Sequence, residues 1–215
     1  METTQARQAS PRVVPAVRAW PGVEATTHAA GVLFIVVGVA FVTGIMILAS
    51  IAPDYDYGVA AISDLGVISQ TALFFNVLLV AVGTLNIVGG YLFYRDHGSR
   101  GLFALYVVAG LGAIGAGLLP LSTGAPHALF ALAGFVFFNL EAIATARVLT
   151  GAMRVLSVMA GAIGLLYVVI MVIGDGGNPA VFGPIGHGGA ERMIVYPAML
   201  WLIALGGHLL AVKQE

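Results

Sequence analysis

Two groups of residues in this chain have the types and spacing that chemistry uses. The first comprises imidazoles and carboxylates: Asp64, His127, Asp175, His187 and Glu191. Such groups suit zinc or another divalent metal. A metal held by Asp64, His127, His187 and Glu191 would activate water for hydrolysis. His187 and Glu191 stand four residues apart, a spacing that on a helix puts both on one face. Gly188 and Gly189 between them argue against a helix there. Ser63 beside Asp64, with His127, also has the residue types of a serine hydrolase, which would make Ser63, Asp64, His127 and His187 the catalytic set. A serine triad, however, is defined by its geometry.

The second group centres on Glu141, the one acidic residue well inside an apolar run. It follows His127 by fourteen residues, or about 21 Å of helix. That depth is past the midplane of a bilayer, where a charge costs about 2.5–3.5 kcal/mol to insert. Its carboxyl must therefore be neutral, paired or wetted. Asn86, Asn139 and His208 are the candidate partners. The functional expectation is a proton-relay or cation site; the structural one is a buried hydrogen-bonded pair that fixes packing.

Two further patterns carry less. His28 and His208 are placed so that bis-histidine haem ligation is conceivable, but nothing else in the sequence supports haem. Gly110-Leu-Gly112-Ala-Ile-Gly115 matches the dinucleotide fingerprint letter for letter. It lacks the strand–turn–helix context and the acidic residue that the fingerprint needs, so no nucleotide is expected. Glycine lets helices approach closely in lipid, and Gly112 with Ala116, like Ala160 with Gly164, has the same small-residue spacing.

The elements that must hold these residues follow from composition. Of 215 residues, 60% are hydrophobic and 9% charged, with a mean hydropathy of +1.00. A soluble domain carries about 25% charged residues, so most of this surface must face lipid. The net charge of −1 gives no bulk attraction to nucleic acid. The absence of cysteine excludes disulfides, iron–sulfur clusters, thiolate zinc sites and cysteine nucleophiles. Six apolar runs, at about 29–51, 71–94, 102–121, 127–147, 155–174 and 193–212, each have the length of a membrane-crossing helix. Ser50-Ile51-Ala52 has the look of a signal cleavage site, but the first run is longer than a signal core and Pro53 follows it. A retained helix is expected.

The expected architecture is thus an all-α polytopic membrane bundle over 29–212. A polar tail over 1–28, irregular because of Pro11, Pro15 and Pro21, precedes it, and a short end over 213–215 follows. Trp20 is placed as an interfacial anchor. Arg7, Arg12, Arg18, Arg95, Arg100, Arg147, Arg154 and Lys213 fall on one side of six spans, and only Arg192 on the other. The positive-inside rule makes the first side cytoplasmic, with both termini inside and the plasma membrane as the location. Two long loops, roughly 52–70 and 175–192, then lie outside with most of the first group of residues. No inverted repeat of the transporter kind is expected.

Several short stretches resemble a known family. Ser63-Asp64-Leu65-Gly66 ahead of Phe75-Asn76, Gly117-Leu-Leu-Pro120 followed by His127, and Glu191-Arg192 with Tyr196 are similar to the prokaryotic membrane proteins catalogued as domain of unknown function 998. The resemblance spans roughly residues 28–212 and implies a six-helix bundle, with no activity attached. In that family an acidic residue often follows the proline matched by Pro120. Leu121-Ser122-Thr123 stands here instead, which weakens a metal site centred on His127.

Three functions remain open on these residues. The leading one is binding of a lipid, small ligand or partner protein through the outer face. The others are a metal-assisted hydrolase using the Asp64 and His127 group, and a small proton-coupled transporter using Glu141.

Overall fold

The computed structural model describes residues 23–211, with side chains from residue 25. Six helices carry the fold: α1 (Val23–Ile51), α2 (Ala72–His97), α3 (Arg100–Leu118), α4 (Ala125–Thr145), α5 (Gly151–Asp175) and α6 (Gly186–Ala211). Six helical segments are long and apolar enough to cross a membrane, and the described residues contain no strand. A helix satisfies every backbone polar group within its own segment, which lipid requires. Local signals set the ends. Gly98, in the left-handed region at φ 68°, closes α2, and the Ser99 hydroxyl accepts the Leu102 N–H to open α3. Pro126 sits in the first turn of α4, where its missing N–H costs nothing.

Each helix packs antiparallel on the next, and α6 closes back on α1. Half of the apolar window of α6 is buried against 28% of that of α5, so α6 is central and α5 peripheral. The lipid-facing side chains are apolar, as at Leu73, Phe74 and Val77. The glycines of the false dinucleotide fingerprint are packing residues. A Cβ on Gly110 would lie 2.5 Å from the Gly83 carbonyl of α2. One on Gly112 would lie 2.4 Å from the Gly134 nitrogen of α4. The α2–α3 and α3–α4 seams thus bring backbone onto backbone.

Residues 52–71 form a lid at one end of the bundle. Its 3-10 turn, Ile62–Gly66, buries Ile62 and Leu65. Thr71 Oγ1 donates to the Leu65 carbonyl at 2.8 Å, and Asn76 Nδ2 donates to the Gly66 carbonyl at 3.1 Å. A second 3-10 segment, Pro179–Ile185, seats Phe182 against Gly174.

Two expectations are corrected. The sixth helix begins at Gly186, not near 193, because Gly188 and Gly189 are helical. The reason is tertiary: a Cβ on Gly188 would lie 2.2 Å from the Ala60 carbonyl, and the Gly188 N–H donates to Gly58 at 3.0 Å. The glycines admit the lid onto α6; they do not break the helix. Likewise, Val23 to His28, expected in the tail, begin α1. There Thr26 donates to Asp96 of α2 at 2.6 Å, and Thr27 donates to the other Asp96 oxygen. The rest of that tail, with its arginines and Trp20, and Lys213 lie outside the described residues.

Candidate functional site

Below the lid lies a cavity of about 60 Å³, several times what a single buried water needs. Five helices wall it, through Phe41, Phe75, Ala113, Phe135 and Met199 among others. Only three polar residues line it, Ser63, His127 and Glu191, and all stand at the lid end.

Glu191 is 5% exposed. Its Oε2 accepts the Ile62 N–H at 2.5 Å, pinning the lid to α6. Among the described residues Oε1 has no hydrogen-bond partner, and it is not a sealed atom. His127, 4% exposed, presents Nδ1 to the Leu119 carbonyl at 2.8 Å. A carbonyl can only accept, so Nδ1 carries a proton, and in the neutral ring the lone pair is at Nε2. Leu119 O is one of the carbonyls left over at the end of α3, and His127 satisfies it.

Arg192 clamps the lid from the next position. Its Nη1 donates to the carbonyls of Tyr57 (2.9 Å), Ala60 (3.3 Å) and Gly188 (2.7 Å), and Nη2 donates to Tyr55 OH at 2.7 Å. The guanidinium also lies over the Tyr57 ring, 4.5 Å from its centre. Tyr55 O–H in turn donates to the Ala61 carbonyl at 2.8 Å. Burial pushes the Tyr55 phenol up to about 12, against a smaller opposing pull from Arg192. The phenol therefore remains a donor throughout the neutral range.

The carboxylates and imidazoles expected to share a metal are dispersed. Asp64 Oδ2 accepts the Ala61 N–H at 2.8 Å, capping its own turn. His187 pairs with Asp175 at 3.2 Å near the surface. Among the described residues, no three His, Asp or Glu side chains are grouped to hold a metal, so Asp64, His127, His187 and Glu191 do not converge as a ligand set. Nor does a triad form. Ser63 and His127 share the cavity, but the His127 nitrogen that an aspartate would orient is held by Leu119, and Asp64 faces its own backbone.

Glu141 is fully buried one turn beyond Phe138, below the cavity floor. Its Oε2 accepts from Asn86 Nδ2 at 3.1 Å; Glu141 Oε1 and Asn86 Oδ1 have no partner. Of its expected partners only Asn86 is there. Asn139 instead donates to the Ile194 carbonyl, joining α4 to α6 at 3.0 Å, and His208 is exposed on the bundle surface.

Sequence reasoning missed the Arg192 clamp. It also missed Thr71 as a lid anchor and the buried Tyr106–Thr145 hydrogen bond at 3.1 Å. The aromatic pair Tyr55 and Tyr57 just ahead of the turn, with an arginine near the other loop, was the available signal.

No curated protein and no solved structure matches this chain. The family described as protein of unknown function (DUF998) matches residues 23–208. These include the lid turn Ser63–Gly66, His127 and Glu191-Arg192, the same stretches that form the cavity mouth and its clamp. The chain belongs to the DUF998 family.

Proposed function

We propose that this protein binds a lipid-derived or other small amphipathic ligand in its central cavity, admitted from the lid end. The observation that carries this reading is the division of the cavity, with apolar walls from five helices and polar groups only at the mouth. A concave apolar site with a few convergent polar groups is the usual form of a ligand site. We place the lid end outside the plasma membrane and both termini in the cytoplasm. Arg95, Arg100, Arg147 and Arg154 lie at the opposite end, and the positive-inside rule favours that end as cytoplasmic.

Hydrolysis is less well supported because the candidate ligands are engaged separately. Transport through Glu141 is less well supported because Glu141 lies beneath the cavity and does not line it. The test is native mass spectrometry of the protein released from lipid nanodiscs. Wild type should retain one amphiphile per chain. Gly134→Leu should release it, because a Cβ at Gly134 meets only ordinary contacts at 3.7 Å and the longer side chain would fill the cavity. Equal retention by a folded Gly134→Leu protein would sink the reading.

A further inference from the structure

We infer, on the footing that the cavity is a ligand site, that its occupant is a single-chain amphiphile whose head donates hydrogen bonds and bears no negative charge. The shape sets the chain. Residues of α4 from His127 to Phe138 line the cavity, a distance of roughly 16 Å along the helix. A volume of about 60 Å³ between apolar walls over that length is a narrow space, suited to a single chain.

The mouth sets the head. Glu191 offers Oε1, a carboxyl oxygen with no hydrogen-bond partner among the described residues. His127 offers the Nε2 lone pair, because Nδ1 is committed to Leu119. Ser63 adds a hydroxyl without a hydrogen-bonded partner among the described residues. With Glu191 ionised and His127 neutral, two of the three groups only accept. Arg192 donates to three carbonyls and to Tyr55, its Nε is sealed, and it does not line the cavity. His187 is paired to Asp175. A phosphate or carboxylate head would meet acceptors and like charge. An alcohol or an ammonium would meet partners for its own N–H or O–H groups.

The experiment is a series of probes with one chain and four heads: 1-decanol, decylamine, decanoate and decyl phosphate. Binding to the nanodisc-embedded protein is read by native mass spectrometry at neutral pH. Decanol and decylamine should bind wild type at least roughly tenfold more tightly than either anion. Glu191→Gln keeps an acceptor for Ile62 N–H and so keeps the lid pinned; it should weaken decylamine and strengthen decanoate. Anions that bind wild type as tightly as the alcohol, with all four probes lost in Gly134→Leu, would overturn the head assignment and leave the cavity a ligand site. Failure of all four to bind wild type would overturn both. The head preference itself is read on wild type, so that arm does not depend on any variant folding.

Discussion

Glu141 and Asn86 share one hydrogen bond and leave one oxygen each unpaired, with both side chains fully buried. Glutamine at 141 keeps an acceptor for Asn86 Nδ2 and adds an amide that can donate to Asn86 Oδ1. Leucine leaves Asn86 with both groups stranded. Stranding a buried polar group costs about 1–3 kcal/mol, although inter-helix hydrogen bonds in membranes have measured nearer 0.6 kcal/mol. Glu141→Gln should therefore match or exceed wild-type stability in bicelles, and Glu141→Leu should fall below it by about 1 kcal/mol. A glutamine variant less stable than the leucine variant would contradict this, and would mean that the carboxyl itself is needed. At this scale the sequence was half legible. A lone acid in an apolar run announces that it has a partner, and Asn86 was among three candidates. His208 was wrong because a helix apolar on every side gives no phase, so nothing in the residue pattern says which side of α6 faces inward.

The lid and the start of α6 are one element in energetic terms, since Glu191 and Arg192 hold residues 55–62 from adjacent positions. Arginine is suited to the task because its planar fork reaches several carbonyls and a phenol at once, which a lysine ammonium cannot do in that geometry. Arg192→Lys should keep the bundle intact and loosen the lid. Hydrogen exchange over residues 57–67 should speed up by at least roughly tenfold, the equivalent of one lost charge-assisted bond. The middle of α3 should be unchanged. Equal protection in the variant would show that Glu191 and the buried Ile62 and Leu65 hold the lid alone. The helices themselves were legible to within a few residues at most ends, because length and hydropathy decide them. The exceptions were the starts of α1 and α6. Gly188 reads as a helix breaker in isolation, yet here glycine is the only residue that lets Ala60 and Tyr57 carbonyls sit against a helix.

For the whole molecule, the six-helix ring leaves its largest polar–apolar contrast inside, between the mouth residues and the aromatic walls. Ser63, His127 and Glu191 were all named as candidates from residue type alone, but as metal ligands or catalysts. What sequence could not supply was the backbone that each one serves: Asp64 its own turn, His127 the end of α3, Glu191 the lid. Hydrogen bonds to main chain leave no residue signature, so a cap and a ligand look alike. The chain contains no cysteine, so a single introduced thiol reports without background. The most direct measurement is the rate at which a water-soluble maleimide labels Ala131→Cys, inside the cavity, and Ser69→Cys, exposed on the lid, with and without saturating 1-decanol. A ligand at ten times its Kd should slow labelling at the cavity position roughly tenfold and leave the lid position unchanged. Labelling of Ala131→Cys at the same rate with and without the amphiphile would contradict the claim that this cavity is where the protein binds its ligand.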